Sequence, residues 1–179
     1  MGEIAFGTLT WYDLLAQGVG FVATAFMFIS FQQRTTKGII LFQIISTSLF
    51  ALHFFLLGAY SGCVANVLGV VRNLIFVHRG KPWADKRFWL YGFCAAFVVS
   101  GILTWQNLSS ILPIIGMILG TVALYSTVPF RTRCISLGCS ASWLAYNVIS
   151  RSVPGALTET LAICSIIIAV FKYDRKKNA

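Results

Sequence analysis

The sequence predicts an all-α integral membrane protein with seven transmembrane helices, and three observations lead to that fold class. Hydrophobic residues make up 58% of the 179 residues and charged residues only 11%, and the mean hydropathy of +0.80 is too high for a soluble domain. The apolar runs do not alternate as barrel strands do, whereas helices satisfy their own backbone groups in lipid. The basic residues, finally, gather in alternate loops, as they do in multi-pass proteins.

Seven apolar runs give the predicted helices in chain order. Several runs are shorter than the roughly 20 residues that a hydrocarbon core requires, so we expect helix ends to extend into the short loops. A tight turn is expected from Gly58 to Gly62, between the second and third helices. The runs are Leu14–Phe31, Ile39–Leu57, Cys63–Val77, Phe88–Thr104, Ile111–Tyr125, Ile135–Ser150 and Ala156–Phe171.

The charge distribution predicts the orientation. Twelve of the 14 basic residues fall in the first, third and fifth loops and in the C-terminal tail. Arg151 alone lies in a loop on the other side, and Arg72 lies inside a predicted helix. By the positive-inside rule the N-terminus is outside and the C-terminus inside. The net charge of +9 therefore reflects topology and attraction to lipid, and no nucleic acid is expected as a partner.

The second half of the chain repeats the first. The segment 142–159 aligns with 49–66 at an offset of 93 residues. Both copies carry a basic loop after their first helix and a nearly charge-free turn after their second, so the copies are parallel and the fourth helix inverts the chain between them. Matching positions are Tyr146 and His53, Gly155 and Gly62, and Glu159 and Asn66.

This 3+1+3 plan divides the chain into four parts. The first three-helix bundle spans residues 1–79, and the second spans 111–171. A basic loop with the linker helix spans 80–110, and a basic cytoplasmic tail spans 172–179. In transporters built from parallel repeats, the solute site lies near the membrane midplane between the repeats.

Two family resemblances follow from particular residues. The Gly58-Ala59-Tyr60 turn and the stretch Asn66–Gly69 resemble the SWEET sugar transporters of the PQ-loop superfamily. A longer set resembles the YgjV-type bacterial inner-membrane proteins over nearly the whole chain: His53–Tyr60, Asn66, Arg72, Leu112–Gly116, Arg133-Cys134, Trp143, Asn147 and Glu159.

These resemblances imply a multi-pass protein of the bacterial cell inner membrane. The SWEET likeness implies movement of a small solute by rocking of two three-helix bundles. Two departures argue against sugar itself: Gln32-Gln33 stands without the Pro-Gln pair, and Glu159 stands where the sugar transporters have a second Asn.

Asn66 and Glu159 are the first candidate solute-binding residues, because they occupy matching positions of the two repeats. A carboxyl inside a membrane helix is costly unless it is solvated or paired, so Glu159 is also the candidate for proton coupling. Asn73 lies two turns after Asn66 on the same helical face and is a further candidate. The alternative for Glu159 is a carboxylate that is hydrated at the outer end of its helix. The alternative for Asn66 and Asn73 is a contact between helices.

Further candidates have simpler alternative interpretations. Arg72 is an intramembrane charge with two interpretations. It is a candidate to bind an anion or to pair with Glu159, whereas the slightly favoured alternative is that its side chain snorkels toward the cytoplasmic headgroups. His53 is a candidate proton relay or a packed, hydrogen-bonded ring. The second copy offers aromatic and amide side chains for solute binding, and three residues are candidate gates or hinges. The solute-binding candidates are Trp143, Tyr146 and Asn147, and the candidate gates or hinges are Gln33, Pro113 and Pro129.

The residue types argue against an enzyme. The chain has only two His and five acidic residues, and no phosphate-binding loop, metal-ligand spacing or Ser-His-Asp set, so no catalytic residue, metal or cofactor is expected. The five cysteines are expected to be small packing residues. The predicted function is transport of an unidentified small polar solute, with a non-transporting membrane receptor or assembly factor as the alternative. The other expected partners are the lipid bilayer and, as an option, further copies of the chain.

Overall fold

The structure, a computed structural model, describes residues 10–33, 36–126 and 128–174. These residues form seven α-helices, as predicted, together with a 3-10 turn at Leu108–Ser110 and a π-helical turn at Val170–Asp174. Most of the basic tail and the residues before Thr10 lie outside the described part. The helices are α1 Trp11–Phe31, α2 Thr36–Leu56, α3 Tyr60–Phe76, α4 Arg87–Leu103, α5 Ile111–Tyr125, α6 Pro129–Ile149 and α7 Val153–Ala169.

Six of the seven helices begin before their apolar runs, as the short runs required, and α5 coincides with its run. The helix α6 begins at Pro129, well before its apolar run, because proline is tolerated in the first turn, where its missing N–H would have no helical partner. Within the described part of the chain, three helical segments are long and apolar enough to cross a membrane, namely Trp11–Ser30, Leu108–Tyr125 and Val153–Lys172. The least apolar helix is α6.

The turn between α2 and α3 is shorter than expected. It consists of Leu57, Gly58 and Ala59, whereas Gly62 lies inside α3. Gly58 has a φ of +67°, in the left-handed region that favours glycine. The expected turn from Gly58 to Gly62 was therefore too long, because the second glycine serves close packing inside a helix and not a reversal of the chain.

Successive helices are neighbours in space, and α7 packs against α1, so the helices close into a ring. The helix α4 packs on α3 and α5, which also contact each other directly. Buried aromatic side chains fill much of the interior, including Phe50, Phe54, Phe93, Phe97 and Trp143. Large apolar side chains remain exposed on the outer surface, as a lipid-facing surface requires.

Residues after α3 form a compact cluster beside the end of α5. The guanidinium of Arg79 stacks on the ring of Tyr125, 4.8 Å from its centroid, and donates to the carbonyl of Leu124 at 2.5 Å. Its Nε lies 3.5 Å from Asp85, with which it forms an ion pair. These contacts join the C-terminal ends of α3 and α5 on the side where the basic loops lie.

Candidate functional site

A cavity of about 180 Å³ lies inside the ring of helices. Every helix except α4 contributes lining residues, and α6 and α7 contribute seven of them. Several of the lining side chains are polar or charged, so the cavity has room and partners for several waters or for a small polar solute. The polar and charged lining side chains are Thr47, Asn66, Arg72, Ser140, Asn147, Thr158 and Glu159.

The cavity brings together five of the residues that the sequence marked as candidates: Asn66, Arg72, Trp143, Asn147 and Glu159. Asn66 and Glu159, which matched by repeat alignment, line the same space. The remaining candidates, His53, Asn73, Tyr146, Gln33 and Pro113, do not line it.

The lining residues of the two halves correspond in pairs. Four pairs are separated by the same 93 residues: Thr47 and Ser140, Phe50 and Trp143, Phe54 and Asn147, and Asn66 and Glu159. Each pair has one member on α2 or α3 and the other on α6 or α7. The paired lining residues therefore share one sequence offset but differ in chemistry in each pair.

Asn66 and Glu159 differ in how they are held. The Nδ2 of Asn66 donates to the carbonyl of Gly62 at 2.8 Å, one turn earlier in α3. None of the described residues donates to its Oδ1, which leaves that oxygen for the cavity. Glu159 lies two turns into α7, is partly buried, and lines the cavity together with Ser140. The Glu159 side chain therefore lies inside the ring of helices and not at a wetted helix end.

Arg72 points into the protein. Its Nη1 donates to Thr121 of α5 at 3.1 Å, and its Nε and Nη2 both lie 3.3 Å from Oδ1 of Asn73. The expectation that Arg72 snorkels toward the headgroups was wrong, because Thr121 and Asn73 supply acceptors inside the ring. No ion pair within 4 Å joins Arg72 to Glu159, both of which belong to the described part.

Asn73 was predicted to line the solute site, but in the structure it holds the guanidinium of Arg72. The residue is buried, 7% exposed, and its oxygen is occupied by the Arg72 guanidinium. Because two N–H groups of one guanidinium share this acceptor, Asn73 fixes the plane of the Arg72 head group.

Asn147 carries an unpaired buried oxygen. The residue is 2% exposed, and its Oδ1 has no hydrogen-bond partner among the described residues. Gly155 allows this approach, because a Cβ at that position would overlap Oδ1 of Asn147 and would also lie 2.5 Å from Oγ of Ser152. A buried oxygen without a partner costs about 1–3 kcal/mol, so a donor that reached this oxygen would stabilise the site.

Three aromatic rings form a layer at one end of the cavity. Trp143 stacks on Phe54 with ring centroids 5.9 Å apart, and Tyr146 lies 5.6 Å from Phe54 and 6.0 Å from Trp143. Phe54 and Trp143 line the cavity, whereas Tyr146 lines a second pocket of about 170 Å³ near the α2–α3 turn and Ser110. We call Phe54, Trp143 and Tyr146 the aromatic layer.

The hydroxyl of Tyr146 fixes this layer to the start of α3. It accepts from the backbone N–H of Gly62 at 2.9 Å and donates to the carbonyl of Ala59 at 3.3 Å. A Cβ at Gly62 would lie 2.5 Å from Cε1 of Tyr146, so glycine is required for this contact.

His53 lies in a different place from the cavity. Its Nδ1 is 2.7 Å from the carbonyl of Ala16 in α1, and its Nε2 is 2.7 Å from Oγ of Ser152, which caps α7. Because a carbonyl can only accept, Nδ1 carries a hydrogen. The ring is fully buried and joins α1, α2 and α7, and its role as a proton relay stays a prediction.

The candidate hinges lie at helix ends. Pro113 is the third residue of α5 and Pro129 the first of α6, so neither interrupts a helix interior. The Nε2 of Gln33 donates to the carbonyl of Ile29 at 3.1 Å, just beyond the end of α1. The side chain of Pro129 lies outside the described residues, and the hinge roles stay predictions.

Sequence reasoning missed the small polar residues of the cavity, Thr47 and Ser140. Both lie just upstream of the segments that the repeat alignment compared, at the same offset. Extending the alignment by one turn would have found them. Thr121 was also missed, because a single Thr in an apolar helix carries no signal until Arg72 is seen to bind it.

Comparison with known proteins identifies the family. A family model described as a bacterial inner membrane protein, Imp-YgjV, matches residues 14–177. The chain belongs to this family. Inner membrane protein YgjV of Escherichia coli strain K12 is 27% identical over 149 residues, which cover 81% of this chain and 76% of the relative. No solved structure matches.

Membership of the Imp-YgjV family and the fold agree on location. The family consists of bacterial inner membrane proteins, and several of the described helices are able to span a membrane. The protein is therefore a multi-pass protein of the bacterial inner membrane, as the sequence predicted. The cavity lies among helices that are surrounded by lipid.

Proposed function

We propose that this protein is a transporter or facilitator of a small polar solute that works by alternating access. The observation that carries the proposal is the central cavity, which unites Asn66 and Glu159 from equivalent positions of the two halves. Polar and ionisable groups are costly inside a membrane helix, and they typically mark a solute or ion pathway. The proposal assigns no catalytic chemistry to these residues.

The proposed architecture is 3+1+3, with α1–α3 and α5–α7 as parallel bundles and α4 as the linker. Contacts between helices support it, because α1 with α2 corresponds to α5 with α6, and α2 with α3 corresponds to α6 with α7. The third helix of each half also contacts the first helix of the other. The linker α4 lines none of the cavity described here, which suits a helix that only connects the halves.

We place the N-terminus outside and the C-terminus inside, because the basic loops follow α1, α3 and α5. The likeness to SWEET transporters supports rocking of the two bundles about the cavity. Each bundle contributes one wall, so a relative rotation would widen one end of the cavity and narrow the other.

The aromatic layer is the proposed outer gate. It lies between the cavity and the second pocket, which is near the turns that we place outside. At the cytoplasmic end, Arg79 joins α3 to α5 through Leu124 and Tyr125 and is the proposed inner contact. Alternating access requires that these two closures open in turn.

Glu159 is the proposed coupling residue if transport uses protons. It is the carboxyl that lines the cavity, and a carboxyl there can exchange a proton with either side as access alternates. His53 is a second candidate, because its ring contacts Ser152 at the start of the helix that carries Glu159.

The experiment is solute protection of a cysteine placed at Asn66. In a variant whose five native cysteines are replaced, Asn66→Cys is reconstituted in vesicles and labelled with a small polar thiol reagent. The transported solute is expected to slow labelling, and the same solute should be taken up by vesicles of the parent protein. Val67→Cys is the matched control, because Val67 is 49% exposed on the outer surface of the same helix.

If a broad solute panel gave neither protection at Asn66→Cys nor uptake, the transport proposal would fail. A stable protein partner in pulldown, together with full tolerance of Glu159→Gln, would then favour a receptor or assembly factor on the same scaffold.

A further inference from the structure

We propose that the solute is a small zwitterion, held through an ammonium group at the Glu159 end of the cavity and through a carboxylate at Arg72. This inference rests on the proposed function and specifies the solute class for the same cavity. Its basis is that the cavity contains one acidic and one basic side chain that do not pair with each other.

The Glu159 end offers acceptors for an ammonium group. Glu159 is joined there by Oδ1 of Asn66, which receives no hydrogen bond from a described residue, while Oδ1 of Asn147, another lining residue, packs against Gly155 and has no partner either. An ammonium has three donors and no acceptor, so three oxygens are complementary to it. The Asn147 oxygen is the independent sign of a missing ligand, because it is fully buried.

Aromatic side chains reinforce this preference. Phe50 and Trp143, which occupy equivalent positions of the two halves, line the cavity along with Phe54. The face of an aromatic ring attracts a cation, and the attraction increases when the cation is desolvated. Acceptor oxygens and aromatic faces together favour a cationic group over a second anion.

The Arg72 end offers donors for a carboxylate. A guanidinium has five N–H donors, and Thr121 and Asn73 engage three of them. The other two donate to none of the described residues, and the engaged ones hold the head group in place. A planar guanidinium fixed in this way is suited to bind a carboxylate through two parallel hydrogen bonds.

The two ends are spatially separate. Arg72 follows Asn66 by six residues in α3, which corresponds to about 9 Å along the helix axis. Cys139 lines the same cavity and, like Arg72, lies close to Gly120 of α5. The volume of about 180 Å³ limits the solute to a small molecule.

Charge complementarity excludes the simpler solutes. A neutral sugar would leave both side chains without an opposite charge, a carboxylate alone would leave Glu159 without one, and an amine alone would leave Arg72 without one. A buried charge without its partner is strongly unfavourable. Only a solute with both charges satisfies both ends at once.

The test uses Cys139 as a reporter, because its thiol lines the cavity. In the full-length protein, Cys63, Cys94, Cys134 and Cys164 are replaced by Ala, and labelling of Cys139 in liposomes is timed with a small neutral thiol reagent. The panel consists of glycine, L-alanine, β-alanine and γ-aminobutyrate as zwitterions, with propionate, ethylamine, propionamide and glucose as comparisons. The midpoint of thermal unfolding in detergent provides a second measurement if the thiol reacts slowly.

At least one zwitterion is expected to protect Cys139 and to raise the unfolding midpoint. Its single-charge and neutral counterparts should bind about 30-fold more weakly or worse, since each leaves a buried charge unpaired. Arg72→Gln should make an amine bind as well as the zwitterion, and Glu159→Gln should do the same for a carboxylate. Arg87→Gln, at an exposed position outside the cavity, is the matched control and should leave the selectivity unchanged.

The outcomes separate the two proposals. Protection by glucose, propionate or ethylamine, without protection by any zwitterion, overturns the zwitterion proposal and leaves transport standing. No effect of any solute in either measurement overturns both. Unchanged selectivity in Arg72→Gln and Glu159→Gln also overturns the assignment of the two ends.

Discussion

His53 and Tyr146, which lie 93 residues apart, make the same kind of contact in the two halves of the molecule. His53 extends from α2 to the start of α7, and Tyr146 extends from α6 to the start of α3. His53 contacts Ser152, the N-cap of α7, at 2.7 Å. The hydroxyl of Tyr146 donates at 3.3 Å to the carbonyl of Ala59, the N-cap of α3. The halves are thus joined reciprocally around the cavity.

Replacing His53 with Leu is expected to destabilise the protein without touching the cavity. The variant removes the ring that the carbonyl of Ala16 and the hydroxyl of Ser152 contact, at a cost of about 1–3 kcal/mol in total, because Ser152 keeps the N–H of Gly155 as a partner. Thermal unfolding in detergent measures the effect. Leu52→Ala is the control, because the neighbouring Leu52 is 47% exposed on the outer surface. Equal stability of the two variants would contradict the structural role of His53.

Gly62→Ala is expected to disturb the aromatic layer. The added methyl group would lie 2.5 Å from the Tyr146 ring, which is itself packed against Phe54. The ring must move, so we expect a lower unfolding midpoint and faster labelling of Cys139 from the outside. Overpacking of this kind costs about 1–3 kcal/mol.

Gly92→Ala is the matched control for that substitution. Gly92 lies in the interior of α4, and no atom lies within 4 Å of the Cβ that alanine would add. Helix propensity predicts that Gly92→Ala does not lower the free energy of unfolding and raises it by up to about 1 kcal/mol. If Gly62→Ala behaved like Gly92→Ala, the gate assigned to Tyr146 would be wrong.

Much of the fold follows from the sequence because apolar runs and helix ends depend on local chemistry. Each of the seven runs corresponds to a helix, and the prolines at 113 and 129 stand in first turns, where proline is tolerated. Glu159 was recognisable because a carboxyl is rare within a membrane helix. Repeat alignment then paired it with Asn66 before any geometry was known.

The side-chain directions could not be predicted in the same way. Arg72 is long enough to reach either the headgroups or the cavity, and its choice depends on Thr121, which lies 49 residues away in the sequence. Asn73 was expected to line the cavity because it shares a helical face with Asn66, but the adjacent guanidinium occupies its oxygen. Helical periodicity gives the face of a residue, whereas tertiary partners decide what that residue binds.

Arg72→Met is expected to abolish solute binding with a loss of stability no larger than about 1–3 kcal/mol, which arises because Oδ1 of the buried Asn73 loses its donors. Replacement of a buried charge by an apolar side chain of similar length is often neutral or stabilising. Thr121 keeps a partner in the variant, since its hydroxyl also donates to the carbonyl of Met117 at 2.6 Å. Solute protection of Cys139 and the unfolding midpoint are measured in parallel. A large loss of stability, by contrast, would show that Arg72 is a structural residue.

Glu159→Gln is expected to remove the pH dependence of solute binding. Protonation of Glu159 neutralises the carboxylate that pairs with an ammonium group, so binding to the parent protein should weaken as the pH is lowered. Arg72 and Cys139 are the other titratable groups that line the cavity. Arginine stays charged at any working pH, and a buried thiol stays neutral. Glutamine cannot change charge, so binding to the variant should be weak at every pH.

The measurement is solute affinity and vesicle uptake between about pH 5 and pH 8, a range in which perturbed carboxyl groups titrate. Asp13→Asn is the control, because Asp13 caps the start of α1 through Thr10 and lies outside the cavity. It should retain the pH dependence of the parent protein. If Glu159→Gln kept that dependence, another group would have to carry the proton. His53→Gln would then be the next variant to examine, since His53 contacts the N-cap of the same helix.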